Sequence, residues 1–205
     1  MLLSGGIDSA TCLYLTKDKY RIRALTFVYE GIAERELNSA GDLAKAACVA
    51  EHRLVRLPDL KEASEIGGQK FPGYPPTYIP MRNSVFYSFA ASFAEEVRAD
   101  YLVGGHNKDD LAVFRDTSPR FFAGLEMSFR AGSKILAARK TRILRPLEGR
   151  TKAQVVKLAS RIGVPLELTW SCHRDGGDHC WECAGCAMRE EAFGEAGTED
   201  PLRNL

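Results

Sequence analysis

No apolar run in this 205-residue chain approaches the ~20 residues of a membrane-spanning helix. No charge of one sign prevails either: 28 Lys and Arg against 27 Asp and Glu leave a net +1. A dedicated nucleic-acid binder is ordinarily far more basic, and a disordered chain more polar. Internal repeats and low-complexity stretches are absent, which excludes solenoids and flexible spacers. Cysteine is scarce before position 172, with only Cys12 and Cys48, so the chain lacks the spread-out framework of a disulfide-stapled secreted domain. The opening MLLSGGIDSA reaches Gly5-Gly6 too early for a signal peptide with a basic start and an apolar middle. A soluble cytoplasmic protein is expected. With 45% apolar and 27% charged residues, it has the composition of an ordinary globular domain.

What is present alternates. Residues 1–3 are an apolar strand stub, 9–20 a helical pattern, 21–29 a strand, 34–49 an amphipathic helix and 51–57 a second strand. Residues 59–80 form a long segment rich in Gly, Pro and Tyr, of a length that is often functional. A helix over 84–98 leads to the short strand 101–103, and 142–147 suits another strand. Thr151 and Gln154 have capping-box spacing for a helix over 151–162. Residues 184–192 read as a last helix, and the polar tail from Gly194 as loose. Strands alternating with helices predict an α/β fold, a parallel sheet flanked by helices. We expect two units, an α/β domain over 1–165 and a small helical segment over 166–205. Residues 130–152 hold eight Lys or Arg and one acid, Glu148. That is a solvated basic face, or else a surface that attracts polyphosphate or RNA.

Ser4-Gly5-Gly6-Ile7-Asp8-Ser9 joins the strand stub to a helix. Adjacent glycines let backbone amides turn inward, and the helix start adds free N–H groups and partial positive charge, so a pyrophosphate fits there. Ser4 and Ser9 add hydroxyls, and Asp8 suits Mg²⁺ between phosphate oxygens. The lysine of GxxxxGK[ST] is missing, so this is not the usual γ-phosphate cradle. A plain Gly-Gly turn is the competing reading. In its strand–SGGxDS–helix setting, the loop resembles that of the PP-loop ATP pyrophosphatase superfamily, which adenylates a substrate oxygen and releases pyrophosphate.

Cys172, Cys180, Cys183 and Cys186 fall within fifteen residues. Four thiolates within reach of one ion suit tetrahedral Zn²⁺, and a full thiolate set leaves no open catalytic position. The metal's role is then structural. Redox or sulfur-carrying cysteines are the competing reading, and His173 or His179 can stand in for a ligand.

Tyr78-Ile79-Pro80-Met81-Arg82-Asn83 closes the long segment and opens a helix. Arg82 and Asn83 suit an anion or a base edge, or Asn83 is simply a helix N-cap. Together with SGGIDS and the ending TWSC…CxxCxxCxxR up to Arg189, this segment resembles the 7-cyano-7-deazaguanine synthase family over nearly the whole chain. The resemblance implies an ATP-dependent carbon–nitrogen ligase acting on 7-carboxy-7-deazaguanine and ammonia, with neither nucleic acid nor membrane as a partner, and working as a homodimer. Residue by residue, it implies ATP and Mg²⁺ binding at Leu3, Ser4, Gly5, Gly6, Ile7, Asp8 and Ser9. Arg82, Asn83, Gly104 and Asn107 then line the nucleotide or substrate pocket, with Asp109 or Asp110 at an acidic position. Asp8, Ser9 and Asp116 carry the chemistry, Asp116 by contacting the base with Phe114 or Tyr78 as a stacking face. The four cysteines are the zinc ligands.

Two segments depart from the family pattern. Glu30-Gly31-Ile32-Ala33 stands where the family has Gly-Gln-Arg-His, before Glu36 and Leu37 restore the match. Around Asp116 the family's Cys-Arg pair is replaced by Thr117-Ser118. Gly105-His106-Asn107-Lys108-Asp109-Asp110 also resembles a segment of PP-loop enzymes that act on tRNA. A thiolating tRNA enzyme, or an adenylating enzyme with another acceptor, is therefore the alternative function.

Overall fold

The computed structural model describes residues 1–61, 74–75 and 78–203. Most of the long 59–80 segment therefore lies outside the described residues. The elements are α1 (Ile7–Thr16), β1 (Arg23–Tyr29), α2 (Glu34–Ala46), β2 (Glu51–Leu57), α3 (Arg82–Val97), β3 (Tyr101–Val103), α4 (Lys108–Val113), α5 (Pro119–Gly132), α6 (Lys134–Arg139), β4 (Arg142–Leu144), α7 (Lys152–Arg161) and α8 (Ala184–Ala196).

β1 pairs in parallel with β2, and β3 with β4. Residues 1–3 join the two pairs. The Leu2 N–H donates to the Val103 carbonyl, the Leu3 N–H to that of Leu25, and the Leu25 N–H to that of Met1, at 2.8–2.9 Å. The order is thus β2, β1, residues 1–3, β3, β4. This is a doubly wound arrangement, in which the chain winds outward in both directions from the first strand. Ligands of such sheets bind outside the carboxyl ends of the strands, where the winding reverses.

Strand side chains alternate between faces, and two separate cores result. Leu3, Ala24 and Val103 pack with Ile7, Leu13, Leu43, Val155, Val156 and Phe193, from α1, α2, α7 and α8. Leu25, Phe27, Leu102 and Ile143 pack on the other face with Tyr87, Ala90, Phe122 and Leu136, from α3, α5 and α6. The sheet is therefore covered on both sides, as the α/β reading predicts.

Several local expectations hold in detail. The capping box on α7 is formed, with the Gln154 N–H donating to Thr151 Oγ1 and the Thr151 N–H to Gln154 Oε1. Others need correction. Asn83 is not an N-cap: α3 begins at Arg82, behind Met81 in the left-handed region (φ 53°). The basic stretch is not simply a solvated face. Arg130, Arg139 and Arg145 pair with Glu126, Asp100 and Glu148 at 2.7–2.9 Å, and Lys152 pairs with Asp8.

The C-terminal tail is not loose either. Asp200 grips the fully buried Arg189 through two bonds of 2.6 and 2.8 Å, and Arg189 also donates to Thr169 at 2.9 Å. Removing one member of such a pair strands a buried charge, which costs about 3–5 kcal/mol. Asp200→Ala is expected to lower unfolding free energy by about that amount in urea titrations. A change below ~1 kcal/mol would show that the tail is not tied down by this pair.

Candidate active site

A cleft of about 250 Å³ opens at the carboxyl ends of the central strands. The phosphate loop forms its floor. Gly5 adopts φ +90°, and a Cβ there would lie 2.4 Å from the Glu36 carbonyl oxygen. Glycine is thus required both by the backbone conformation and by the first turn of α2 pressing on the loop. The Ser9 hydroxyl braces the loop from within, accepting from the Ser4 N–H at 3.2 Å and donating to the Gly6 carbonyl at 3.0 Å. Gly105 closes the loop from β3, since a Cβ there would meet the Asp8–Ser9 backbone at 2.8–3.0 Å.

Leu3, Ser4, Gly6, Asp8, Ser9, Arg82 and Asn83 all line the cleft. The other expected residues stand behind it. Ile7 is in the core and Gly5 backs onto α2. Gly104 sits so close to the Tyr87 hydroxyl (1.9 Å to a built Cβ) that only glycine fits. Asn107 is the N-cap of α4 and donates to Asp8 Oδ1 at 3.4 Å, so it orients Asp8 from below. Asp116 binds the start of α3: its Oδ2 accepts from the Asn83 N–H at 3.3 Å, and its carbonyl from Asn83 Nδ2 at 3.2 Å. Its neighbours Phe114 and Thr117 reach the cleft wall. Phe114 stacks with Tyr78 and Tyr74, their ring centroids 6.2 and 6.3 Å away, and these two tyrosines stack at 4.1 Å.

The charges are unevenly placed. Asp8 Oδ2 is taken by Lys152, whose own N–H donates to Asp109 Oδ2 at 2.8 Å. Asp110 also faces the cleft, its carboxyl pushed up to about 6 by burial and by the charge of Asp8. Two acids at a phosphate loop are the usual protein share of a Mg²⁺ site. A cation between them would relieve the repulsion that raises Asp110, so these residues fit Mg²⁺. His106 is lowered to about 4 by burial and by Arg82 and Arg145, and shares a 3.0 Å hydrogen bond with the Tyr87 hydroxyl. At neutral pH it is an uncharged wall residue. Glu36, opposite Arg82, is raised to about 7 by burial, with Arg82 opposing. Lys152 and the environment of Glu36 were not singled out by sequence. Lys152 was only one member of the basic stretch.

The four cysteines do converge. Their Sγ atoms all lie within 4.8 Å of one another, with Cys172–Cys183 at 3.8 Å and Cys180–Cys186 at 3.9 Å. A tetrahedron with metal–sulfur bonds of ~2.3 Å has edges of ~3.8 Å, whereas a disulfide needs ~2.05 Å. The set therefore fits a tetrahedral thiophilic ion. Backbone N–H groups of His173 and Arg174 point at Cys183 and Cys172 Sγ, at 3.5 and 3.4 Å. Burial pushes the Cys183 thiol up, but the His173 and Cys186 N–H groups outweigh it and bring it down to about 6. His179 is not a ligand, because its Nε2 accepts from the Ser171 N–H at 3.1 Å. The cluster is coupled to the cleft: the Trp170 N–H, two residues before Cys172, donates to the Gly5 carbonyl at 3.0 Å.

The SGGxDS loop at the winding reversal, two acids beside it and a separate thiolate cluster sit on an α/β fold of the PP-loop type. A solved structure described as NMN synthetase from Francisella tularensis shares this fold, with a TM-score of 0.52 and 20% identity over 97% of this chain and 76% of that one. The family model described as "Queuosine biosynthesis protein QueC" matches residues 1–197, and the chain belongs to that family. Relatives named 7-cyano-7-deazaguanine synthase include one from Persephonella marina, 37% identical over 98% of this chain and 94% of its own. Another, from Thermoplasma acidophilum, is 35% identical over 98% and 90%.

Proposed function

We propose that this protein is an ATP-dependent ligase that converts 7-carboxy-7-deazaguanine and ammonia into 7-cyano-7-deazaguanine, the nitrile used in queuosine- and archaeosine-type biosynthesis. Near-full-length similarity to synthases of that name carries the reading, and the cleft supplies groups suited to it. ATP activates the carboxylate as an acyl-adenylate, ammonia forms the amide, and a second ATP activates the amide oxygen before AMP leaves with the nitrile formed.

In this reading the amides of the loop and the start of α1 receive phosphate oxygens. Arg82 neutralises negative charge from the opposite wall. Asp8 and Asp110 would hold Mg²⁺, which would supply charge neutralisation for the departing pyrophosphate. Lys152 fixes the direction of Asp8. Ser9 acts by bracing the loop, and Asp116 by fixing Asn83 and the start of α3, beside the aromatic shelf of Phe114 that suits a planar base. Cys172, Cys180, Cys183 and Cys186 of the C-terminal segment 166–205 would hold Zn²⁺, which would fix that segment, and Trp170 with it, against the α/β unit of residues 1–165. A cytoplasmic homodimer acting on small molecules, without nucleic acid, completes the proposal. Among the described residues no helix is long and apolar enough to cross a membrane.

The decisive assay combines purified protein, 7-carboxy-7-deazaguanine, ammonia, Mg²⁺ and ATP, with mass spectrometry of the products. The nitrile, AMP and pyrophosphate are expected. ADP and phosphate as main products would show that the loop does not direct attack to the α-phosphate. A tRNA that stimulates ATP cleavage when the carboxylate does not would favour the RNA-modifying alternative.

A further inference from the structure

Glu36 is an unassigned carboxylate in the cleft. It sits on the first turn of α2, and its own carbonyl is the atom against which Gly5 is pressed. The side chain is therefore anchored beside the loop where an adenylate forms. Arg82 faces it from α3, and both line the cleft. They form no ion pair with each other, and neither side chain has a hydrogen-bond partner among the described residues. Two unpaired, opposite charges held apart across a cleft suit a ligand with an anionic part and a proton-bearing part. Tyr29, Ile32 and Phe86 line the same cleft.

We infer that Glu36 is the proton acceptor for the reacting nitrogen. The inference rests on the function proposed above and adds a residue to it. As ammonia attacks the acyl carbon, its lone pair forms the C–N bond. The bond from that carbon to the adenylate oxygen breaks, AMP leaves with the electron pair, and the surplus N–H proton passes to a Glu36 oxygen. In the nitrile step, adenylation of the amide oxygen releases one N–H proton and leaves a C=N–H group, and the remaining N–H bond then supplies the electrons that complete the C≡N bond. The C–O bond breaks toward AMP, and the proton again goes to Glu36, which releases it to water between steps. Arg82 meanwhile stays with the anionic phosphate and carboxylate groups.

The environment matches this task. Burial raises the Glu36 carboxyl to about 7, against the pull of Arg82, close to the value a base working at neutral pH needs. The other charged groups of the cleft, Asp8 with its partner Lys152 and Asp110, stand at the phosphate loop, and His106 is uncharged at neutral pH. Only unprotonated Glu36 accepts a proton, so nitrogen addition must slow as pH falls below about 7.

The test separates adenylation from nitrogen chemistry. Glu36→Gln keeps the shape and removes the base. ATP–pyrophosphate exchange driven by 7-carboxy-7-deazaguanine involves no nitrogen proton and should stay within about threefold of wild type. Amide formation, and nitrile formation from added amide, should each fall by ~10²–10⁴-fold, and in nitrile formation from added amide, where no ammonia titrates, the acid limb of the pH–rate profile should vanish. Glu36→Asp should restore that limb at an intermediate rate. Exchange lost as heavily as amidation would make Glu36 a substrate- or ATP-binding residue and overturn the inference. Amidation within about threefold of wild type would overturn it equally. If wild-type protein shows no carboxylate-driven exchange, the proposed function itself falls and takes this inference with it.

Discussion

Asp8→Asn is expected to lower the rate of pyrophosphate release by roughly 10²–10³-fold, the usual loss when one preorganised electrostatic group is removed from a reaction centre. Both oxygens of Asp8 are already directed, Oδ1 by Asn107 and Oδ2 by Lys152. The carboxylate thus needs no reorganisation before it meets a metal-bound phosphate. The amide keeps the volume, loses the charge, and turns Lys152 from a held partner into a loose cation. Folding should barely change: the Asp8 and Lys152 side chains are 18% and 30% exposed, and a partly exposed pair contributes about 1 kcal/mol or less. Lys152→Met should lose activity for the complementary reason, because Asp8 is then fixed by Asn107 alone. The double variant should be scarcely worse than Asp8→Asn, since the two residues act as one unit. Additive losses would mean that Lys152 acts on phosphate independently of Asp8. Activity near wild type in Asp8→Asn would remove this residue from the centre altogether.

Residues adjacent in sequence were the easiest to read. The strands over 51–57 and 101–103 appear with the expected bounds, because each is a short β-type run closed by turn residues. The helix over 151–162 was marked by its capping box, a signal contained within four residues. The thiolate cluster was equally visible, since all its ligands lie in one loop. Pairings across the fold were not. Lys152 meets Asp8 from 144 positions away, and only the strand order brings the start of α7 to the start of α1. Asp200 seemed to belong to a polar tail, yet it satisfies a guanidinium buried between α8 and Thr169. α4 to α6 escaped notice because α4 buries no residue, and α5 and α6 bury one each, Phe122 and Leu136. A weak apolar stripe leaves little periodicity to read. The cleft residues that matter most for charge, Glu36 and Asp110, owe their behaviour to burial, a property of the assembled cleft that spacing does not encode.

Cys183→Ser is expected to abolish stoichiometric metal binding and to weaken ATP binding although Cys183 is not in the cleft. The thiolate set around the proposed Zn²⁺ leaves no open position, so the ion contributes to folding rather than to chemistry. Among the described residues the cysteines cluster with only Trp170 and Trp181 as apolar neighbours, a cluster too small to hold residues 171–183 in place alone. Metal binding is therefore folding energy for this segment, large against the ~5–15 kcal/mol that stabilises a whole domain. The loss should travel along the backbone. Cys172 follows Trp170 by two residues, and the Trp170 N–H holds the Gly5 carbonyl, which keeps the loop amides turned toward phosphate. Elemental analysis should find one zinc per wild-type chain and less than about a tenth of that in the variant, given the closed four-sulfur requirement. Calorimetric titration with ATP should show a raised Kd, and hydrogen exchange should rise first over 166–183 and then at the loop. Metal-free wild type, made with a chelator, should behave like the variant and recover when zinc is restored. A variant that folds and binds ATP normally but fails to transfer sulfur to RNA would instead identify Cys183 as a reactive thiol, and the structural assignment of the cluster would be wrong.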